Sequence, residues 1–275
     1  MLSVLALNVS APPEARAREL LAWLWVEGDD DAVWVLTETS PSAGSRLIAR
    51  VCRAAGFSVH VTDYAAGGGL GVMVVVRDPD LAVEVEEVEG LSVLPGRVLP
   101  LRVEGGHEGG EGDGRPLRIA AVYGAASDPV RYSSSAQRQR KRDWIEAFDG
   151  WLRGWLCDAP GVAAWLAPPA VVIGDLNLVD PAHDDELRYV LPEETALLEA
   201  LQAKGPDGHG LVDAYRRAHP TSREVSWVDH SGVGCRYDHA FVTADLAPRV
   251  QGCDLVHQPR LAGLTDHSAL RLVLG

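Results

Sequence analysis

Ala170-Val171-Val172-Ile173-Gly174-Asp175-Leu176-Asn177 sets the reading of this chain: a short apolar run, a glycine, then an acid and an amide two residues apart. Four consecutive apolar residues suit a strand buried on both faces. The abrupt polarity marks where such a strand leaves the core, which is where sheets present their functional side chains. If the chain stays extended, period-two alternation points Asp175 and Asn177 to the same side. Taken alone, the pair also reads as an Asx turn closing the strand exit.

Outward from this stretch the pattern recurs. Leu2 to Leu7 runs into Asn8, a second β-rich run ends at Glu38 between Thr37 and Thr39, and Asp266-His267 stands between two apolar segments. Singly, Asn8 and Glu38 are solvated strand ends and Asp266-His267 a surface pair. Arg236-Tyr237-Asp238-His239 opens a run ending in Phe241-Val242, so Asp238 faces opposite to its neighbours. If Asp238 meets His267, it fixes the imidazole tautomer and raises its basicity. Carboxylates, an amide and an imidazole on separate strand ends are the groups that phosphodiester hydrolysis needs. Carboxylates hold a hard cation against the phosphate charge, and an acid/base group activates water. The set reads as a metal-dependent phosphoesterase, with Mg2+ the natural ion and Mn2+ its substitute.

Strands are expected at Leu2–Val9, Ala32–Thr39, Phe57–Thr62, Gly71–Arg77, Leu81–Val88, Val98–Glu104, Leu117–Tyr123, Ala170–Ile173, Val225–Val228, Tyr237–Thr243, Cys253–His257 and Ala269–Leu274. Asp78-Pro79-Asp80 suggests a hairpin joining the fourth and fifth. Ser10 reads as the cap of a helix that starts with Pro12-Pro13-Glu14 and runs to about Val26. Further helices are expected at Ser45–Ala55, Ala136–Cys157 and Glu193–Lys204, the second of these with Trp144, Phe148, Trp151 and Trp155 on one packing face. Gly105 to Gly114 is a glycine-rich loop, and Ala159 to Pro169 a connector. Neighbouring strands joined this tightly exclude a purely parallel sheet. The expectation is a four-layer α/β sandwich, two packed mixed sheets with helices outside, forming one domain over residues 1–275.

Composition is that of a globular protein, 47% hydrophobic and 23% charged. Four scattered cysteines without C-x-x-C spacing signal neither a zinc site nor a disulfide framework. No apolar run approaches a bilayer span, and Met1 to Leu7 lacks the basic start and length of a signal sequence. A cytoplasmic monomer without a membrane partner is expected. The formal charge of -14 works against a polyanionic partner at long range. Locally, however, Arg131, Arg138, Arg140, Lys141 and Arg142 form a run free of acids, a candidate strip for tracking a phosphate backbone.

In order and spacing, Ala6-Leu7-Asn8-Val9, Leu36-Thr37-Glu38-Thr39, Val122-Tyr123, Gly174-Asp175-Leu176-Asn177, Gly210-Leu211-Val212-Asp213-Ala214-Tyr215-Arg216, Ser226-Trp227, Arg236-Tyr237-Asp238 and Thr265-Asp266-His267 resemble the endonuclease/exonuclease/phosphatase, or DNase I-like, superfamily. Within it they lie nearest the exonuclease III and abasic-site endonuclease arm. The resemblance spans nearly the whole chain. It implies that Glu38 binds the metal with Asn8 and Asp266 in or beside its shell, and that Asp175 orients or deprotonates the attacking water. Asn177 and Tyr123 would bond the phosphate, and His267, oriented by Asp238, would contact it or assist proton transfer. Trp227, Arg236, Arg138 and Arg142 are the expected substrate contacts, and DNA the expected substrate. His239 is expected behind the site, and His183 with Asp180, Asp184 and Asp185 in a solvated acidic loop.

Three departures bear on the substrate. Abasic endonucleases of this arm commonly continue Tyr-x-Pro-Asn, whereas Tyr123 is followed by Gly124-Ala125-Ala126. Ser10-Ala11-Pro12 stands where a second Asn and a Gly are usual, and Cys235 where a bulkier apolar residue often walls the sugar pocket. These argue against abasic-site specificity. A nucleotide, sugar-phosphate or lipid-headgroup phosphoester is the alternative substrate, and a non-catalytic binding module the alternative class.

Overall fold

The computed structural model describes residues 1–105, 116–126, 135–157, 168–186, 190–205 and 208–275, the side chains of 184–186 excepted. The glycine-rich stretch, most of the connector and Arg131 lie outside the described residues.

Two six-stranded sheets form the centre. The first holds β1 (Leu2–Asn8), β2 (Val33–Thr39), β3 (Ser58–Val61), β4 (Gly71–Val76), β13 (Val250–Val256) and β14 (Ala269–Leu274), in the order β13-β14-β1-β2-β4-β3. The second holds β5 (Ala82–Val85), β6 (Val98–Glu104), β7 (Leu117–Tyr123), β8 (Ala170–Asp175), β9 (Val212–Asp213) and β12 (Asp238–Val242), in the order β5-β6-β7-β8-β12-β9. A small antiparallel hairpin, β10 (Trp227–Val228) with β11 (Gly234–Cys235), stands apart. Each sheet has one parallel pair, β1/β2 and β7/β8, among antiparallel neighbours.

The near-continuous apolar strands follow from burial on both faces. Val4, Ala6, Val33 and Val35 of the first sheet pack against Ile119, Ala121, Val171, Ile173 and Ala240 of the second. Alternate residues Leu5, Leu7, Trp34 and Leu36 face outward onto α1 (Glu14–Glu27) and α2 (Ala43–Ala54). On the far side, Ala120, Val122, Val172 and Phe241 carry α3 (Ser135–Cys157) and α4 (Pro192–Gln202). Trp144, Phe148, Trp151 and Trp155 stack in sequence along α3, consecutive ring centroids being 4.9, 5.8 and 5.5 Å apart. Helix, sheet, sheet and helix therefore form the expected four layers. The short helices α5 (Ala214–Ala218) and α6 (Gln258–Leu261) complete the set. Among the described residues no helix is long and apolar enough to cross a membrane.

Two expectations are corrected. β4 and β5 are not a hairpin: β4 pairs with β2 and β3, while β5 pairs with β6 in the other sheet. Arg77 marks the crossing, its guanidinium bonded to the Gly28 carbonyl (2.7 Å) and stacked over Trp34 (4.8 Å). Turn residues report that the chain changes direction and say nothing about which sheet receives the next strand. Nor does Ser10 cap α1. Pro13 holds that position without a side-chain bond, and the Ser10 hydroxyl is used elsewhere.

Candidate active site

The inner faces of the two sheets end in polar residues at the same rim. Along β1 the inward series Leu2, Val4 and Ala6 ends in Asn8, and along β8 Val171 and Ile173 are followed by Asp175. β7 ends its inward series in Tyr123, and β12 begins its own with Asp238. Strand register sets Tyr123 and Asp238 on either side of Asp175. Apolar alternation thus delivers one polar group per strand to a shared place. The amide of Asn8 closes the gap between sheets, Nδ2 donating to Asp175 Oδ2 (2.8 Å) and to Glu38 Oε2 (3.0 Å).

Simple alternation would turn Glu38 outward, away from Asn8. The register of β2 against β4 slips between Leu36 and Thr39, and Glu38 takes the left-handed conformation, φ +53°. Backbone strain brings the carboxylate round. Among the described residues the non-glycine positions with positive φ are Ser10, Ala11, Glu38, Leu94 and Asn177. Four belong to this rim, and Leu94 opens the turn that carries Arg97 to it. Such conformations cost of order 1–3 kcal/mol each and persist where surrounding contacts over-determine them.

Asp175 uses its two oxygens differently. Oδ1 accepts the Asn177 backbone N–H (2.9 Å), the Asx turn that the sequence allowed, while Oδ2 faces Asn8 and lies 3.9 Å from His267 Nε2. The chain is not extended beyond Asp175. Asn177 has φ +51° and donates its side-chain amide to the Gly124 carbonyl (3.2 Å). The close approach of these two loops needs glycine at 124, where a Cβ would stand 1.9 Å from the Leu176 carbonyl.

His267 Nδ1 meets Asp238 Oδ2 at 2.8 Å. Ser226 Oγ in turn accepts the backbone N–H groups of Tyr237 (3.0 Å) and Asp238 (3.1 Å), fixing the start of β12. Burial works against a charged His267, but Asp238 and Asp175 overcome it and hold the ring up at about 10. The imidazolium form prevails at neutral pH, with Nδ1–H donating to Asp238. Burial, reinforced by Asp238 against the pull of His267, pushes Asp175 up to about 7. Burial first and Glu38 next raise the Tyr123 phenol well above its ordinary value. Asp266 stands at the open edge, Oδ1 accepting from Ser10 Oγ (2.5 Å) and Oδ2 from Trp227 Nε1 (3.0 Å). Burial there is outweighed by His267 and these two donors, which keep the carboxyl below its usual range. Thr265 Oγ1 ties this segment to the Asn8 carbonyl (2.8 Å).

Asn8, Glu38, Tyr123, Asp175, Asn177, Asp238, Asp266 and His267 are therefore brought together, with Trp227 at the edge. The expected arginines are not all free to join them. Arg236 is 1% exposed, its guanidinium bonded to Asp180 and Asp213, so it ties the fold together and cannot meet a substrate from the surface. Arg142 pairs with Glu193 (3.0 Å), and Arg138 is exposed on α3. Asp180 is likewise buried in ion pairs with Arg216 and Arg236, and His183 is buried, so neither lies in a solvated loop. His239 sits on the opposite face of β12 from Asp238, its Nε2 donating to the Leu178 carbonyl (2.8 Å).

One residue at the site carried no sequence signal. Arg97 is buried, its guanidinium 4.5 Å above the Tyr123 ring, Nη1 on the Gly124 carbonyl (3.0 Å) and Nε on the Gly67 carbonyl (3.0 Å). Burial holds the guanidinium below its usual range, against the pull of Tyr123, Glu38 and Asp175.

The donors available to a metal are hard oxygens: the carboxylates of Glu38, Asp175 and Asp266 and the Asn8 amide oxygen. This chemistry fits a divalent cation of the magnesium type. Among the described residues no three His, Cys, Asp or Glu side chains stand close enough together to form a ready-made ion site. Glu38 and Asp175 instead share the Asn8 amide, and Asp266 is held beside them by Ser10 and Trp227.

No protein of curated function matched the sequence. Solved structures did, over almost the whole chain. An AP endonuclease from Archaeoglobus fulgidus is 21% identical, with a TM-score of 0.68, over 100% of this chain and 99% of that one. A 3′ phosphatase from Neisseria, bound to a product DNA hairpin, is 18% identical with a TM-score of 0.69 over 100% of both chains. An AP endonuclease from Leishmania major is 18% identical with a TM-score of 0.74, over 99% of this chain and 87% of that one. At these identities the likeness speaks for the fold. The family model of the endonuclease/exonuclease/phosphatase family matches residues 5–267. With that match covering nearly the whole chain and every residue gathered at the rim, this chain belongs to the endonuclease/exonuclease/phosphatase family.

Proposed function

We propose that the protein is a Mg2+-dependent phosphodiesterase acting on DNA, a nuclease of exonuclease III type. The observation that carries this reading is the Asn8 amide, bonded at once to Glu38 of one sheet and Asp175 of the other. Glu38, Asp266 and Asn8 would hold the cation. When bound it neutralises phosphate charge and lowers the cost of the leaving oxygen. The chain's own groups do the rest. Asp175 Oδ2 takes the proton of a water whose oxygen attacks phosphorus, and the P–O bond breaks with its electron pair going to the leaving oxygen, which takes a proton from solvent. The His267 imidazolium, oriented by Asp238, donates to a phosphate oxygen and balances the added charge. Tyr123, kept protonated, and the Asn177 amide supply further hydrogen bonds.

DNA as substrate is supported by the shared fold of a neighbour bound to a DNA hairpin and by exposed Arg138 and Arg140 on the first turns of α3. Small phosphoesters are the second reading, favoured by the charge of -14. The deciding experiment assays purified protein with and without Mg2+. Its substrates are plain duplex, abasic duplex, single-stranded DNA, a 3′-phosphate end and a generic small phosphodiester. Mg2+-dependent cleavage of DNA is expected, without preference for the abasic duplex. Turnover of small phosphodiesters alone would remove DNA from the proposal.

A further inference from the structure

Within the described part of the basic run, Lys141 alone points into the protein. Its side chain is 2% exposed, and Nζ lies 2.8 Å from the Glu194 carboxylate of α4 and 2.7 Å from the Asn177 carbonyl. A buried ion pair is a weak source of stability, because desolvating both charges consumes most of their attraction and apolar side chains of similar volume serve as well. α3 and α4 are in any case held to β8 by Trp144, Phe148, Leu197, Leu198 and Leu201. What those apolar contacts cannot do is bring a positive donor to the carbonyl of Asn177.

That carbonyl belongs to the strained part of the rim. Asn177 is left-handed, its N–H bonded to Asp175 Oδ1 and its side chain to Gly124. Lys141 supplies a third hold, from the outer helical layer. Glu194 also accepts the Leu191 N–H (3.1 Å), so the same carboxylate fastens the start of α4 to the device.

We propose that the Lys141–Glu194 pair is a positioning device for the reaction. It locks the turn from Asp175 to Asn177 through the Asn177 carbonyl, and so aims Asp175 Oδ2 at the attacking water. The role rests on the phosphoesterase reading above, and neither residue touches substrate. Without the ammonium, the turn keeps its hydrogen bonds to Asp175 and Gly124 and loses the restraint that fixes its angle.

The test compares the natural protein with Lys141→Met and with Lys141→Met/Glu194→Met, by denaturant unfolding and by Mg2+-dependent hydrolysis of whichever phosphoester the protein cleaves. Lys141→Met alone leaves the buried Glu194 carboxylate without its countercharge and is strongly destabilised. The double variant removes both charges and regains most of that stability. In it kcat is expected to stay down by roughly 10-fold or more with KM nearly unchanged, as for a misaimed base. Recovery of kcat together with stability would overturn the proposal. Amide hydrogen exchange of the double variant gives a readout that needs no substrate. Faster exchange at Asn177, with β8 protected as before, is expected, and unchanged protection at Asn177 overturns the role. A natural protein inactive on every phosphoester tested would count against the functional reading alone, and exchange would still decide the positioning.

Discussion

At His267 two carboxylates outweigh burial, and the consequences can be measured. Its pKa rises from 6.5 to about 10 on folding, so the stability it contributes is fully present below 6.5 and is lost as pH climbs through about 10. In metal-free protein, denaturant unfolding at pH 7 and pH 10 should show the natural chain losing more stability than His267→Gln; equal losses would mean the ring is not charged in the folded state. Asp175→Asn and His267→Ala should each lower Mg2+-dependent kcat by about 10²-fold or more, the usual loss for a group that moves or stabilises a proton. Arg97→Met should also lower kcat, by about 10-fold, because Tyr123 and the Gly124 carbonyl lose their common anchor; unchanged kinetics would leave Arg97 a packing residue. The acids and the imidazole were legible in the sequence because each stands where an apolar run stops. Arg97 was not, since it lies beside Gly96 before an apolar strand and resembles any strand-flanking arginine. Arg236 misled for the opposite reason: it sits inside a motif, yet its partners Asp180 and Asp213 are far away in sequence and only the fold shows that they consume its charge.

At the level of elements, the two sheets repeat one plan. In each, a single parallel pair ends at the rim, β1/β2 with Asn8 and Glu38, β7/β8 with Tyr123 and Asp175. An antiparallel neighbour begins there too, β14 following His267 and β12 starting with Asp238. Alternation was enough to predict that Asp238 faces opposite to Tyr237 and His239, because β12 is regular from its first residue. It failed at Glu38 and Asn177, where a bulge and left-handed residues replace extended backbone. It failed again at β4 and β5, because pairing partners are a property of whole sheets. The loop contact at Gly124 gives an element-level prediction. Gly124→Ala forces a methyl group against the Leu176 carbonyl, so it should cost about 1–3 kcal/mol in unfolding free energy and reduce turnover through the displaced Asp175 turn. Stability within experimental error of the natural protein would show that the loops are free to separate.

Across the whole molecule, a body of charge -14 presents exposed Arg138 and Arg140 at the start of α3. Net charge repels a polyanion from afar while local cations hold it on contact. Raising salt from about 50 to about 200 mM should therefore raise KM for DNA and leave kcat nearly unchanged. A KM indifferent to salt would point to a small substrate. The layered architecture itself was readable, since strands apolar on both faces demand helices on both outer sides, and α3 announces its buried face through its aromatic spacing. The most direct test of a cation-dependent site built from both sheets is a Mg2+ titration of DNA hydrolysis by the natural protein, Glu38→Gln and Asp175→Asn. The natural protein should be inert in chelator and active with Mg2+. Glu38→Gln should need far more Mg2+ to reach its plateau, and Asp175→Asn should reach a much lower plateau at a similar Mg2+ concentration. Hydrolysis that survives chelation, or identical titration curves for all three proteins, would refute it.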